Sequence, residues 1–215
     1  GIGRVEYRAS STEPGNSGTT PVERRASDRM AALLNAAATL IDEGGIGAVT
    51  TTAVAYRSGS SVGVLYRYFP NIDSLLRQLA ARNLERYLEV VREGSAMTPD
   101  NPWSSWDDTL DGFVALCRTE PSFRRLRFGE LVTDRFLSEE EPNNKLIARE
   151  FAELVSRTHS IPVTQDMLFH LEIATAMGQA LMTEAFRDKA QGDKHIIEEA
   201  RRVIGDYLRT SIPVK

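Results

Sequence analysis

Two short helical patterns joined by a tight turn, within residues 50–69, constrain this fold more than any other feature of the sequence. Thr50 is placed to cap the first helix, and Gly59 ends it in the left-handed conformation that favours glycine. Ser61 caps the second helix, which Pro70 ends because the residue before a proline disfavours the helical region. An apolar helix precedes the pair, as in a helix-turn-helix unit. The spacing therefore predicts that unit, with one face of its second helix exposed.

The rest of the chain also shows helical periodicity, and no segment has the alternation typical of a strand. Ser27 is the expected N-cap of the first helix, which ends at Gly44 and Gly45. Asn71 is expected to cap a longer helix that runs to Gly94. Five further helical patterns follow, around 110–117, 128–136 and 146–155, and from about 164 to 187 and 193 to 210. The predicted fold is all-α, with about nine helices.

The predicted domain division follows from composition and from these helices. Residues 1–23 are rich in Gly, Ser, Thr and Pro and are expected to form a flexible arm. A helix-turn-helix domain over 24–71 and a connecting helix over 72–94 come next. A larger helical domain over 95–215 completes the chain.

Composition excludes several classes of protein. With 41% apolar and 26% charged residues, the chain is typical of globular proteins. No run approaches the roughly 18 uncharged apolar residues of a membrane span, so no membrane contact is expected. The first ten residues lack the apolar run of a signal peptide, and one cysteine cannot form an internal disulfide. We therefore expect a cytoplasmic protein.

The charge is unevenly distributed along the chain. The net charge is −4, yet residues 24–82 hold seven arginines and four acidic residues, a local charge of +3. A weakly basic N-terminal unit on an acidic remainder suits a small module that contacts DNA and a body that does not.

The second helix of the motif presents a distinct outer face. Leu65 and Phe69, four residues apart, are expected to point to the core, which leaves Gly63, Val64 and Arg67 roughly opposite. An arginine pairs with phosphate or a guanine edge, an aliphatic side chain meets a thymine methyl, and glycine permits close approach. Further candidates at helix N-termini, where free N–H groups bind phosphate, are Thr50, Thr51 and Ser61.

Residues 25 to about 76 resemble the DNA-binding domain of TetR/AcrR-type repressors, most specifically in GSSVGVLYRYFPNIDSLL. The resemblance implies that Tyr66 and Tyr68 reach phosphates or bases. It also implies that Arg24 and Arg25, before the first helix, reach the backbone or minor groove. Helical spacing alone leaves open that both tyrosines are core aromatics.

Two positions depart from the family pattern. Members often carry lysine where this chain has Val62 and Ile72, and the first lysine of the whole chain is Lys145. Backbone attraction must therefore come from arginines, hydroxyls and N–H groups, and we expect a shallow salt dependence.

The last two helices are candidates for a dimer interface. The segment IATAMGQALMT is apolar around its circumference, which indicates burial on more than one side. The resemblance implies pairing of these helices with their copies, and two-fold symmetry then predicts a pseudo-palindromic operator. Burial inside one subunit is the alternative. The predicted interface residues are Ala174, Gly178, Leu181, Ala185, Ile197, Ile204 and Leu208.

A small-molecule effector is implied chiefly by the resemblance, because such regulators commonly carry an inducer pocket in the body. The candidate lining residues are large and apolar, so a pocket that they line would favour an apolar or aromatic ligand. The pattern of each residue by itself fits an ordinary core better than a pocket wall. They are Trp103, Trp106, Phe113, Phe128, Phe136, Phe151, Phe169 and Met177. The run Arg124–Arg127 is interpreted as a solvated helix end, with binding of an acidic group as the alternative.

These observations predict a sequence-specific transcriptional regulator, a repressor that a small ligand releases from DNA. The alternative is a ligand-binding or interaction protein of the same fold with little DNA affinity, which Val62, Ile72 and the low positive charge favour. No nucleophile–base pair, metal-ligand spacing or phosphate motif is present in the sequence. An enzyme, a cofactor and a metal site are therefore not expected.

Overall fold

The computed structural model describes residues 18–93, 102–128 and 143–213. These residues contain eight α-helices and no strand, which confirms the all-α prediction. The helices are α1 (Pro21–Gly44), α2 (Thr51–Ser58), α3 (Val62–Tyr68), α4 (Ile72–Glu93), α5 (Ser104–Thr119), α6 (Asn143–His159), α7 (Gln165–Ala185) and α8 (Lys194–Ser211). The helical pattern expected around 128–136 lies almost entirely outside the described residues.

The first helix begins earlier than the sequence pattern predicts. Thr20, not Ser27, is its N-cap: the Thr20 hydroxyl accepts the Glu23 N–H, and the Glu23 carboxylate accepts the Thr20 N–H. Pro21 follows at the first helical position, where its missing N–H costs nothing. This reciprocal capping box stabilises an additional helical turn that carries no apolar periodicity.

The two helices of the motif form as their caps predict. The hydroxyls of Thr50 and Ser61 each accept a backbone N–H three residues on, both at 3.1 Å. Gly59 ends α2 with a φ of 71°, in the left-handed region. Phe69 is extended, which ends α3 just before Pro70.

Two apolar cores lie along α4. We call the head the unit of α1, α2, α3 and the first half of α4, whose core includes Leu33, Leu65 and Phe69. We call the body the second half of α4 with α5 to α8, whose core includes Tyr87 and Val91. In the body, α7 packs between α6 and α8. Because α4 belongs to both cores, a shift of this helix changes the position of the head.

None of the helices in the described part of the chain is long and apolar enough to cross a membrane.

Candidate nucleic-acid interface and body cavity

Helix α3 is anchored by one face and exposed on the other. Leu65 is fully buried and Phe69 is 2% exposed, as their spacing predicts. Gly63 and Arg67 are exposed, and Val64 is half-buried. The head core thus fixes the orientation of α3 while its outer face remains open to a ligand as large as a duplex.

Arg67 and Tyr66 are the most available side chains on that face. Arg67 has no hydrogen-bond or ion-pair partner within the described chain, so its guanidinium is free to bind a phosphate or a guanine edge. Tyr66 is 50% exposed. Tyr68 is half-buried against the head core, so its ring supports α3 whatever its hydroxyl contacts.

Each of the two capping hydroxyls can still donate one hydrogen bond. Thr50 and Ser61 accept a backbone N–H through oxygen, which leaves each hydroxyl hydrogen available to a phosphate oxygen. Both residues are exposed, and Thr51 in the first turn of α2 is half-buried. The start of α2 and the start of α3 can therefore each donate to a DNA backbone.

The prediction that Arg24 and Arg25 precede the first helix is wrong, because both residues lie inside α1. Both are exposed, and each donates to a main-chain carbonyl near the helix start, Arg24 to Thr19 at 3.5 Å and Arg25 to Pro21 at 3.3 Å. Any DNA contact from them would come from a helix terminus instead of a flexible arm.

Two further residues near this surface, Tyr56 and Arg29, were not identified from the sequence. Tyr56 on α2 is 87% exposed, which is unusual for an aromatic side chain. Arg29 donates to the Ser60 hydroxyl at 2.9 Å and so braces the turn between α2 and α3. Tyr56 lies two residues after Val54 in α2, a spacing that places the two side chains on opposite faces of the helix. An aromatic residue opposite the apolar face could have been recognised from the sequence on this ground.

Arg57 contributes little free positive charge to the head. Its guanidinium makes two hydrogen bonds to the Glu43 carboxylate, both at 2.9 Å. This hydrogen-bonded pair lowers the pKa of Glu43 and raises that of Arg57. The positive charge available to DNA is accordingly smaller than the arginine count of the head indicates.

The body holds an apolar cavity lined by residues of α4, α5, α6, α7 and α8. Of the residues predicted to line a pocket, Trp106, Phe113 and Phe151 do so. Sequence inspection missed a ring of smaller and polar lining residues, because none of them stands out in an apolar pattern. They include Thr109, Thr175, Gly178 and Gln179.

The other pocket candidates lie elsewhere. Trp103 stacks on Phe151 with ring centroids 6.4 Å apart, while Phe128 belongs to the body core and Met177 packs against it. Phe169 does not line the cavity, contrary to the prediction, because it lies 57% exposed on the outer face of α7. Phe136 lies outside the described residues.

The predicted dimer residues are mostly buried within the single chain. Ala174 and Gly178 line the cavity, and Leu181 is half-buried. The body core contains the remaining four predicted residues, Ala185, Ile197, Ile204 and Leu208. The outer face of α7 instead carries an apolar stripe at helical spacing, namely Phe169, Ile173, Ala176 and Ala180.

The head, with α3 exposed on one side, has the arrangement of a helix-turn-helix unit, and it is joined to a helical body that holds an apolar cavity. Residues 33–79 match the family described as bacterial regulatory proteins, tetR family. Residues 100–212 match the tetracyclin repressor-like C-terminal domain. The chain therefore belongs to the TetR family.

Individual relatives agree with this assignment. The chain is 38% identical over 148 residues to the HTH-type transcriptional repressor KstR of Rhodococcus jostii, strain RHA1. That alignment covers 66% of this chain and spans 65% of the length of the relative. A TetR-family transcriptional regulator from Streptomyces coelicolor has a TM-score of 0.71 and 33% identity, over 86% of this chain and 99% of that one. A structure from Rhodococcus sp., at 19% identity and a TM-score of 0.63 over 86% and 98% of the two chains, shares the fold.

Proposed function

We propose that this chain is a sequence-specific transcriptional repressor that binds duplex DNA through α3 as a homodimer, and that a small apolar ligand in the body cavity releases it. The exposed face of α3, with Gly63, Tyr66 and Arg67 on a helix anchored by Leu65, is the observation that carries this proposal. A helix held in this way is built to enter a major groove.

The homodimer is supported by the outer stripe of α7. Phe169 and Ile173 are 57% and 38% exposed in the single chain, and such adjacent apolar residues mark an interaction surface. The half-buried Val203 and Tyr207 belong to α8, which packs directly against α7. A two-fold pair of these helices would place two copies of α3 on successive half-sites of a pseudo-palindrome.

The chemistry of the cavity supports an uncharged, largely apolar effector. Among the described residues, no charged side chain lines it. The hydroxyls of Thr109 and Thr175 already donate to main-chain carbonyls of their own helices, at 2.8 and 2.7 Å. The walls therefore offer apolar surface with a few oriented polar atoms, the usual composition of a small-molecule site.

Selection of duplexes from a random library with the full-length chain tests DNA binding. We expect an enriched pseudo-palindrome, and Arg67→Gln should weaken binding to it about tenfold or more, as loss of a base or phosphate contact does. Arg157→Gln, which removes an exposed charge from α6, is the matched control and should bind as the parent does.

The second candidate function is a ligand-binding protein of this fold with little DNA affinity. Its support is Val62, 38% exposed at a position where relatives often carry lysine. A selection that enriches no sequence would favour it over a repressor.

A thermal-shift screen of small molecules tests the effector separately. Uncharged apolar or aromatic compounds should raise the melting temperature, because a ligand that binds only the folded state stabilises it. A screen in which only hydrophilic compounds stabilise the protein would contradict the proposed ligand class.

A further inference from the structure

Among the described residues, five polar side chains line the body cavity, and three of them already have hydrogen-bond partners inside the protein. The hydroxyls of Thr109 and Thr175 donate to carbonyls of their own helices, at 2.8 and 2.7 Å. The amide of Gln179 donates through Nε2 to Asn144 Oδ1 at 3.3 Å and accepts from Arg127 through Oε1 at 3.4 Å. These three side chains are thus engaged before any ligand enters.

Tyr87 on α4 lines the same cavity, yet its hydroxyl has no hydrogen-bond partner among the described residues. The residue is 7% exposed, and a tyrosine hydroxyl this deeply buried usually has a partner. Its ring is held edge-on against Phe113, with centroids 5.2 Å apart, and lies 5.7 Å from the ring of Phe128. Burial raises the pKa of Tyr87, so the phenol keeps its hydrogen and acts as a donor.

Trp106 on α5 is the second polar side chain of the cavity wall without a partner. It is 8% exposed, and its Nε1 is buried with no hydrogen-bond partner in the described part of the chain. Its ring packs closely on α7, because a Cβ added to Gly178 would lie 3.4 Å from Cη2 of the indole. An indole N–H donates and cannot accept, so only an acceptor can pair with it.

The cavity wall therefore carries two unused donors in apolar surroundings. Nearly all buried polar groups in proteins are hydrogen-bonded, so two exceptions that line one cavity indicate that the partner comes from the molecule that fills it. No charged side chain lines the cavity in the described chain, and an unpaired buried charge is costly, which disfavours a carboxylate as the acceptor.

We propose that the effector is an uncharged molecule with an apolar skeleton and a carbonyl oxygen, and that Tyr87 and Trp106 select for this oxygen by donating hydrogen bonds to it. This inference rests on the proposed function, because it narrows the class of effector. A site that hydrogen-bonds its ligand rejects an analogue without the matching group, since the donors of the site are then left unpaired. A hydrocarbon of the same shape should accordingly bind less well.

Pairs of compounds that differ only in the carbonyl group test this selection. Calorimetric titration of the full chain with indanone against indane, and with benzophenone against diphenylmethane, gives a ratio of ketone affinity to hydrocarbon affinity for each skeleton. We expect a ratio of about five or more for the skeleton that binds better, which is the usual net effect of one neutral hydrogen bond.

The same ratio identifies the residues responsible, because a change in cavity shape affects both members of a pair. The combined change Tyr87→Phe with Trp106→Phe should bring the ratio to about one, and each single change should account for part of the loss. Trp103→Phe is the matched control, since the Trp103 N–H already donates to the Ile212 carbonyl at 3.0 Å. Thr175→Val removes a hydroxyl that is likewise already engaged. Both controls should keep the parent ratio.

Urea unfolding without added compound gives a second, independent measurement. Tyr87→Phe should unfold at the parent midpoint or above it, because the change removes a buried polar group that has no partner. A clearly lower midpoint would show that the hydroxyl stabilises the fold itself, and would overturn its assignment to the ligand.

The outcomes separate this inference from the proposed function. Equal affinity for ketone and hydrocarbon, or a ratio that the combined change leaves intact, would overturn the selection for a carbonyl while an apolar effector still stands. Binding of none of the four compounds would overturn the proposed effector and this inference together. DNA binding by α3 is measured separately and is unaffected by either result.

Discussion

Gly63 occupies a position on α3 that the free chain does not require to be glycine. A Cβ added there would find only the Ser61 hydroxyl, at 3.9 Å. A glycine inside a helix destabilises it by roughly 1 kcal/mol relative to alanine. Since no contact within the described chain compensates, the absence of a side chain fits the close approach of a duplex backbone.

Replacing Gly63 by alanine should therefore separate stability from DNA binding. We expect the free energy of unfolding in urea to stay constant or to rise by up to about 1 kcal/mol. Affinity for the selected duplex should fall about tenfold or more, as when a contact to DNA is lost. Gly47→Ala, at another position with open space but outside α3, should leave that affinity unchanged. Undiminished affinity of Gly63→Ala would remove the role assigned to this glycine.

Cys117 shows how burial controls a single reactive group. The thiol is 4% exposed on α5, and burial raises its pKa to about 12. The thiolate, which is the nucleophile, is consequently scarce near neutral pH.

A disulfide reagent at pH 8 should accordingly leave the native protein unmodified over a time in which the urea-unfolded chain reacts completely. The chain has one cysteine, so the unfolded sample should release one equivalent of chromophore. Native labelling at a rate close to that of the unfolded chain would show that the body opens readily around α5.

At the scale of an element, α7 has two apolar faces with different roles. Its inner face contributes Met167, Leu171 and Met182 to the body core. Its outer face carries the exposed stripe of Phe169, Ile173, Ala176 and Ala180. A helix buried on only one side would carry polar residues where this stripe lies.

A charge in the middle of the outer stripe should prevent self-association. We expect Ile173→Asp to be a monomer in sedimentation analysis at micromolar concentrations where the parent is a dimer, because pairing would bury an unpaired carboxylate. Gln191→Asp, which adds the same charge at an exposed turn, should remain a dimer. If Ile173→Asp also stays dimeric, the copies pair through another surface.

At the scale of the whole molecule, charge is sparse on the surface proposed to meet DNA. The head carries no lysine, and Arg57 is already paired with Glu43. Arg67 and the capping hydroxyls of Thr50 and Ser61 remain as donors on its outer face. Binding should therefore depend more on directed hydrogen bonds than on release of counterions.

The salt dependence of affinity for the selected duplex measures this balance. Each neutralised phosphate contributes about −0.9 to the slope of log K against log salt concentration. We expect a shallow slope for the parent, and a slope equivalent to about eight or more phosphates per dimer would contradict that expectation. Val62→Lys should steepen the slope by about 0.9 for each site contacted.

The local sequence determined the helices and their ends. Thr50, Gly59, Ser61 and Pro70 act on backbone groups within a few residues, so their effects could be predicted without knowledge of the fold. The same holds for the inward direction of Leu65. The early start of α1 at Thr20 was missed because its capping box lies outside the apolar pattern.

Only the tertiary structure decided which apolar face of α7 is covered and where Arg127 lies. Both faces of α7 are apolar, so periodicity cannot tell the core from a partner surface. Arg127 belongs to a charged run typical of a solvated helix end, yet it is buried between α4 and α7. These outcomes depend on contacts with helices more than forty residues away in the chain, whereas caps and turns depend on neighbours within about four residues.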